Sequence, residues 1–151
     1  MDEKRIVCFG DSVTQGTPHV PLSDTFPRLL ERRLSHHSEH FGALVSVSNA
    51  GVGGETSAEG LERFDQHVEA FAPDLVTVEF GLNDIRVEPQ KRTTEQEFAE
   101  NLREIHRRAR GSISRFRSVV SGHRRLYTPA HLIECEPGLA TEPDPRGSLR
   151  R

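Results

Sequence analysis

The chain has 151 residues, of which 34% are hydrophobic and 28% are charged, and its formal net charge is −3. A single domain of about 150 residues buries roughly 68–70% of its unfolded surface, so this length allows a real core. Two cysteines, Cys8 and Cys135, are too few for a disulfide framework. No run approaches the roughly 18 apolar residues of a membrane span, and the N-terminus has no secretory apolar stretch. These features predict a globular domain, and we expect it in the cytoplasm.

The charge is unevenly distributed along the chain. Residues 1–100 carry 9 basic and 18 acidic side chains, whereas residues 101–151 carry 11 basic and 5 acidic ones. A basic tail is one signature of a nucleic-acid arm. Acidic residues interrupt this tail, however, and its only aromatic residues are Phe116 and Tyr127. We therefore rank nucleic-acid binding last and expect no nucleic-acid partner.

Two strands and one helix are predicted in the first third of the chain. Residues 5–9 form a short apolar run that ends at Gly10, as is typical of a buried strand. Asp24 can cap a helix whose apolar positions follow helical spacing: Phe26, Leu29, Leu30 and Leu34. A second strand fits residues 43–48, and a glycine-rich loop follows it over residues 49–54.

The same alternation continues beyond this loop. Residues 56–59 have the form of a capping box, and the helix that they open has an apolar stripe: Leu61, Phe64, Val68 and Phe71. Residues 73–74 are expected to end that helix before a third strand over residues 75–80. Another helix begins at residues 94–97 and has one apolar face: Phe98, Leu102, Ile105 and Ala109. Alternating strands and helices predict an α/β fold with a parallel sheet covered by helices on both faces.

Each predicted strand ends in a loop of small or polar residues. Because the carboxyl ends of parallel strands meet at one edge of the sheet, we expect these loops to converge. Ser12 follows the first strand, and its hydroxyl is a nucleophile once a base takes the proton. The backbone amide of Gly54 and the side-chain amide of Asn83 can donate hydrogen bonds to a developing oxyanion. Each short motif alone indicates only a turn, and their placement at successive strand ends favours a catalytic site.

The three loops resemble the sequence blocks of the SGNH hydrolases, also called GDSL esterases and lipases. The first block resembles residues 9–16 (FGDSVTQG), the second residues 49–56 (NAGVGGET) and the third residues 78–84 (VEFGLND). The resemblance implies that the family's nucleophile and two of its oxyanion donors correspond to Ser12, Gly54 and Asn83.

The resemblance covers roughly residues 4–110. It implies a three-layer α/β/α fold with a flavodoxin-like central parallel sheet. It also implies a serine hydrolase that acts on a small-molecule ester or acylated substrate through an acyl-serine intermediate, without a cofactor. No Cys/His cluster has the spacing of a zinc site, so no metal is expected.

The last block of the family is absent from its usual place. That block is Asp-x-x-His, which supplies the general base and its orienting acid, and no Asp here has a His three positions later. Three histidines follow the third block, and His131 is the best candidate base among them. We therefore predict a C-terminally incomplete hydrolase-like domain over residues 1–110. Residues 111–151, rich in Arg and Pro, are predicted to be a weakly structured or aberrant tail, in which residues 116–120 fit a weak fourth strand.

Two classes of function fit this sequence. One is a serine esterase whose activity is at most weak because no base motif is recognisable. The other is a non-catalytic descendant that binds an acyl or glycan ligand. Asp11 and Asp84 are expected to brace their loops as hydrogen-bond acceptors, and Glu79 faces either the sheet edge or a helix.

Overall fold

A computed structural model describes residues 2–37, 42–85, 92–112 and 118–120. Its strands are β1 (Asp2–Gly10), β2 (Ala43–Gly51), β3 (Leu75–Glu79) and β4 (Ser118–Val120). Its α-helices are α1 (Ser12–Gln15), α2 (Phe26–His36), α3 (Ser57–His67) and α4 (Glu95–Ser112). Short 3-10 turns precede α2 at Leu22–Asp24 and follow α3 at Glu69–Phe71.

The four strands form one parallel sheet in the order β2-β1-β3-β4. Gly10, the last residue of β1, lies opposite both Gly51 and Glu79, so the three longer strands end at the same level. After β1, the chain forms β2 on one side of β1 and then crosses over to form β3 on the other side of β1. Such a reversal between β1 and β3 is the position where open α/β sheets bind ligands. This strand order confirms the predicted flavodoxin-like parallel sheet.

Helices cover both faces of the sheet. On one face, α3 and α4 pack against the alternate side chains of β1 and β3, with a core formed by Val7, Phe9, Phe64, Val68, Val76, Val78, Phe80, Ile105 and Ala109. Phe9 stands edge-on to Phe64 and Phe80, with ring centroids 5.6 and 5.2 Å away. On the other face, Leu30 and Leu34 of α2 pack against Ile6, Cys8 and Val47. The predicted three-layer architecture is confirmed.

The start of α2 differs from the prediction. The N-cap position belongs to Thr25, while Asp24 lies in the preceding 3-10 turn. The Thr25 hydroxyl donates to the Leu22 carbonyl oxygen at 3.0 Å, so it does not cap the helix either. Pro27 occupies the first turn, where a missing N–H costs nothing. Phe26 is 39% exposed and does not join the apolar face that was predicted for it.

The capping box of α3 is confirmed, but the helix is shorter than predicted. The Thr56 N–H donates to the Glu59 carboxylate at 2.7 Å, and the Thr56 hydroxyl accepts from the Glu59 N–H. The helix ends at His67 rather than at Pro73, and Phe71 is 46% exposed in the 3-10 turn that follows. Just before β3, Asp74 pairs with the Arg5 backbone: its carboxylate accepts from the Arg5 N–H at 2.9 Å, and its own N–H donates to the Arg5 carbonyl oxygen at 2.7 Å.

The structure describes only the beginning of the predicted tail. Helix α4 continues to Ser112, and residues 118–120 form β4, which pairs in parallel with β3. The strand predicted over residues 116–120 is therefore found in part. The rest of the tail, including His131, lies outside the described residues. Over the ranges that the structure covers, no helix is both long and apolar enough to cross a membrane.

Candidate active site

Ser12 lies two residues after the end of β1, at the first residue of α1, and it is half-buried. The N-cap of this four-residue helix is Asp11, whose Oδ1 accepts a hydrogen bond from the Val13 N–H at 2.9 Å. The Asp11 side chain is 0% exposed. Asp11 therefore braces the turn that carries Ser12, as predicted for a loop-bracing acceptor.

Two glycines allow α1 to sit directly on the ends of the strands. A Cβ atom at Gly10 would lie 2.3 Å from the Thr14 Oγ1 and 2.4 Å from the Glu79 carbonyl oxygen. A Cβ atom at Gly51 would lie 2.2 Å from the backbone nitrogen of Gln15. Any larger residue at either position would push α1 away from the sheet. The place of Ser12 thus depends on the absence of side chains at two strand ends.

The glycine-rich loop after β2 lies beside Ser12. A Cβ atom built at Gly53 would be 3.8 Å from the Cβ of Ser12. Gly54 has a φ of +82°, a left-handed conformation that favours glycine. Asn49 fastens this loop to α1, since its Nδ2 donates to the Gln15 carbonyl oxygen at 3.2 Å and its Oδ1 accepts from the Gly51 N–H at 3.0 Å.

Asn83 connects the three loops. Its Nδ2 donates to the Asp11 Oδ2 at 3.1 Å and to the Glu55 carbonyl oxygen at 2.8 Å. Asp11 precedes Ser12 and Glu55 follows Gly54, so the three predicted site residues lie together at one edge of the sheet. Both N–H groups of the Asn83 amide are engaged within the protein. Donation to a substrate oxygen requires that one of these bonds be exchanged.

Asp84 fastens the third loop to the N-terminus of α3. Its carboxylate accepts from the Ser57 N–H at 3.1 Å and from the Ser57 hydroxyl at 2.6 Å. Asn101 of α4 donates to the same hydroxyl at 3.0 Å. Asp84 is buried and acts as the predicted loop-bracing acceptor. Helix α3, through Ser57, and helix α4, through Asn101, therefore fix Asp84, and Asp84 in turn fixes the position of the neighbouring Asn83.

Arg63 of α3 is a site-supporting residue that the sequence did not reveal. Its guanidinium donates to the carbonyl oxygens of Ala50 and Gly10 at 2.9 and 3.0 Å, and it pairs with the Glu55 carboxylate at 2.5 Å. The guanidinium also lies 4.6 Å from the centre of the Phe9 ring. Because helix arginines are usually solvent-exposed, no local signal marks this one as an internal anchor.

Glu79, whose direction the sequence left open, faces α1. Its Oε2 accepts a long hydrogen bond from the Thr14 hydroxyl at 3.5 Å. Burial first, and then the charge of Asp11 and a hydrogen bond with its carboxyl group, raise the pKa of Glu79 to about 7. The pKa of Glu79 is therefore raised beside the residue that braces Ser12.

The described residues do not identify a general base. His67 has its Nδ1 3.2 Å from the Arg63 carbonyl oxygen. On α4, burial and the nearby charge of Arg110 lower the pKa of His106. Within the described ranges, no histidine forms a hydrogen bond with the Ser12 hydroxyl, and no three His, Cys, Asp or Glu side chains are grouped to hold a metal ion.

Sequence comparisons connect this chain with a lipase/acylhydrolase family and with two curated proteins. The sequence profile of the GDSL-like lipase/acylhydrolase family matches residues 8–148. An arylesterase of Vibrio mimicus is 34% identical over 81 residues, which are 54% of this chain and 38% of the arylesterase. The uncharacterised lipoprotein YqeF of Bacillus subtilis strain 168 is 32% identical over 103 residues, which are 64% of this chain and 40% of YqeF. The chain thus spans about two fifths of the length of these relatives.

Solved structures share the same architecture. AlinE4, an esterase of the SGNH-hydrolase family, superposes with a TM-score of 0.63 at 28% identity, over 80% of this chain and 59% of its own. The lipase/acylhydrolase from Enterococcus faecalis superposes with a TM-score of 0.57 at 28% identity, over 76% of this chain and 55% of its own. Since the family profile extends over almost the whole sequence and the sheet carries the expected loops at its carboxyl edge, this chain belongs to the GDSL-like lipase/acylhydrolase family of SGNH hydrolases.

Proposed function

We propose that this chain is a serine esterase in which Ser12 attacks the carbonyl carbon of a small-molecule ester and forms an acyl-serine intermediate. The observation that carries the proposal is the convergence of the three loops: the Asn83 amide donates to Asp11, the residue before Ser12, and to Glu55, the residue after Gly54. The similarity to an arylesterase supports an ester substrate. The catalytic loops all belong to the proposed hydrolase-like unit of residues 1–110.

Attack on the ester carbonyl places a negative charge on its oxygen. We assign the backbone N–H groups of Ser12 and Gly54 and the Nδ2 of Asn83 as donors to this oxyanion. Prearranged donors lower the barrier because they need no reorganisation as the charge develops. The Asn83 amide, in contrast, must first exchange one of its two present hydrogen bonds. Gly54, with its positive φ and its exposed position, leaves room for the substrate oxygen to approach the backbone.

The proton of Ser12 needs an acceptor, and His131 is the candidate that we propose. Because the family's Asp-x-x-His block is absent at its usual place, we expect weak turnover. In a well-studied serine protease, removal of the base lowers kcat by about 10⁶, whereas the oxyanion site and binding retain roughly 10³–10⁴ over water. The expected rate lies between that residual level and the rate of a complete triad.

Hydrolysis of p-nitrophenyl acetate and butyrate by the purified full chain tests this proposal. Ser12→Ala is expected to abolish turnover and labelling by a fluorophosphonate probe, since the nucleophilic oxygen is gone. Ser35→Ala, an exposed serine on α2, is the matched control and should keep both. His131→Ala should lower the rate if His131 is the base. Equal turnover by the wild-type and Ser12→Ala chains would contradict the esterase assignment.

The second candidate is a non-catalytic protein that binds an acyl or glycan ligand. The engagement of both Asn83 N–H groups by Asp11 and Glu55 favours it, since the main side-chain donor is already satisfied. Saturable binding of butyrate or of a short oligosaccharide by calorimetry, without turnover and without fluorophosphonate labelling, would select this function. Labelling of Ser12 would reject it.

The proposed location is the cytoplasm, and no nucleic-acid partner is proposed. The similarity to the lipoprotein YqeF favours the opposite location, at a membrane surface outside the cytoplasm. Fractionation of the native host, followed by detection with an antibody against the chain, distinguishes the cytoplasm from the outer membrane surface.

A further inference from the structure

The side chain of Gln15 lies between the Ser12 turn and the glycine-rich loop. Gln15 is the last residue of α1 and follows Ser12 by one helical turn, so the two residues share one face of the helix. A Cβ atom built at Gly53 would lie 2.7 Å from the Gln15 Oε1 and 3.8 Å from the Ser12 Cβ. The Gln15 amide therefore lies close to the nucleophilic side chain.

The backbone of Gln15 is held on three sides. Its N–H donates to the Asp11 carbonyl oxygen at 2.9 Å, and its carbonyl oxygen accepts from the Asn49 Nδ2 at 3.2 Å. A Cβ atom at Gly51 would lie 2.2 Å from the Gln15 nitrogen, so the end of β2 lies directly against it. Because the Cα of Gln15 is fixed, its amide reaches only the space around the Ser12 turn and the glycine-rich loop.

The amide of Gln15 has hydrogen-bonding capacity that its described surroundings do not use. A glutamine amide carries two N–H donors and an acceptor oxygen. Although Gln15 is half-buried, its side chain forms no hydrogen bond with any residue in the ranges that the structure covers. The neighbouring amides of Asn49 and Asn83 are, in contrast, bonded to the protein. A ligand group in this space would meet an available polar partner beside the nucleophile.

Gly53 leaves the Gln15 amide open to this space. The backbone at Gly53 does not itself require glycine, since its φ is not positive. A side chain at this exposed position would instead begin 2.7 Å from the Gln15 Oε1 and cover the amide. The absence of a side chain at position 53 therefore keeps the amide accessible from the side on which Ser12 lies.

We propose that Gln15 is a specificity-determining residue of the esterase site, whose amide hydrogen-bonds a hydroxyl group that the substrate carries next to the scissile ester. This inference rests on the proposed function of the same site. A hydroxyl group both donates and accepts, so it pairs with either end of the amide. A hydrocarbon group in the same place would remove water from the amide without replacing its hydrogen bonds. The site should therefore prefer esters of polyols or of hydroxy acids to plain alkyl esters.

Two pairs of esters, matched in size, test this preference. In the first pair the hydroxyl belongs to the alcohol part: hydroxyethyl acetate is compared with propyl acetate. In the second pair it belongs to the acyl part: ethyl hydroxyacetate is compared with ethyl propanoate. Each ester is titrated into the ¹⁵N-labelled full chain carrying Ser12→Ala, which removes the nucleophile. The side-chain amide signals of Gln15, assigned by their loss when Gln15→Leu is added, are followed.

We expect these signals to shift saturably. The hydroxylated ester of at least one pair should bind about two- to tenfold more tightly than its partner, which is the effect of one neutral hydrogen bond. The pair that shows the preference identifies the side of the ester on which the hydroxyl lies. Unchanged Gln15 signals with all four esters would overturn the proposal, and this readout needs no substitution at Gln15.

Variants of similar size provide the control. Gln15→Leu should bind both members of the pair equally, since it removes the amide and keeps most of the side-chain volume. Gln66→Leu, at an exposed glutamine on α3, should keep the full preference. The same preference in Gln15→Leu as in the chain with Gln15 would contradict the role of Gln15.

Hydrolysis by the wild-type chain separates this inference from the esterase assignment. If the chain turns over, kcat/KM for the hydroxylated ester should exceed that for its partner by the same two- to tenfold factor, and Gln15→Leu should lose this ratio. Preferential binding without hydrolysis supports the role of Gln15 and contradicts the esterase. Hydrolysis without a preference in either pair supports the esterase and overturns the role of Gln15.

Discussion

Arg63 contributes to the site without lying in any of its three loops. One guanidinium group ties the ends of β1 and β2 to Glu55, which in turn accepts from Asn83. Only 11% of the Arg63 side chain is exposed. If Arg63 were removed, little water could reach its partners to replace the lost hydrogen bonds. The Asn83 amide therefore depends on an anchor that lies twenty residues earlier in the chain.

Arg63→Ala is expected to lower the free energy of unfolding by about 2–3 kcal/mol, because a largely buried carboxylate and two carbonyl groups lose their donors. Arg63→Lys should recover only part of this loss, since an ammonium group cannot bond to three partners in one plane. Urea denaturation measures both. Arg32→Ala, an exposed residue on α2, serves as the control. A loss for Arg63→Ala no larger than that for Arg32→Ala would contradict the anchor role.

The stability of the chain should depend on the ionisation of Glu79. Its pKa is about 7 in the folded chain against an ordinary value of 4.5, so the folded state keeps a proton that the unfolded state has lost. The stabilising contribution is complete below the ordinary value and disappears as the pH rises through about 7. Glu79→Gln stays neutral throughout. Its stability relative to wild type should therefore rise from about pH 5 to pH 8, measured by urea titrations at each pH.

A constant difference between Glu79→Gln and the wild-type chain over this pH range would contradict the assignment. Glu62→Gln, at an exposed glutamate on α3, is the control and is measured in the same way.

At the level of elements, the packing of α1 against the sheet is the most demanding contact of the site. The Gln15 backbone is so close to Gly51 that even one methyl group must displace it. The contact joins the helix that carries Ser12 to the strand that leads into the glycine-rich loop. A change at Gly51 thus alters two of the three loops together.

Gly51→Ala is expected to destabilise the fold by about 1–3 kcal/mol and to shift the α1 resonances, because an added Cβ meets backbone atoms that cannot rotate away. Thermal unfolding followed by circular dichroism measures the first effect and amide chemical shifts the second. The control is Gly111→Ala, whose added Cβ meets nothing within 4 Å. It should be neutral or stabilising, since alanine favours a helix. Equal effects at the two glycines would show that the close approach is tolerated.

Local signals in the sequence predicted some element boundaries and missed others. The capping box of α3 was predictable because Thr56 and Glu59 satisfy each other within one turn. The cap of α2 was not, because the Thr25 hydroxyl is used by the preceding 3-10 turn. The early end of α3 was missed because the predicted apolar stripe continues to Phe71, whereas the helix ends at His67 and Phe71 lies in the 3-10 turn that follows.

At the scale of the whole molecule, topology explains why part of the site could be predicted. Parallel strands end at one edge, so the sequence order of three strand-end loops was enough to bring Ser12, Gly54 and Asn83 together. Glu79 could not be assigned in this way, because its role depends on which face of β3 the helix α1 covers. The base is the part that neither the motifs nor the described residues supply.

Strand β1 lies between β2 and β3 in the sheet but is synthesised before both of them. Ile6 pairs with Val47 on one side and with Leu75 on the other, so both partners of this buried strand are synthesised much later. Nonlocal pairing of this kind folds slowly and leaves apolar segments uncovered in the meantime. Ribosome-bound chains stalled after residue 74, on a linker that clears the exit tunnel, should bind chaperones and be cleaved rapidly by protease. Those stalled after residue 112 should be protected over β1, and equal cleavage of the two would contradict this order of events. The time during which this protein is vulnerable is therefore set by the order in which its strands are made, and a more stable final fold would not shorten it.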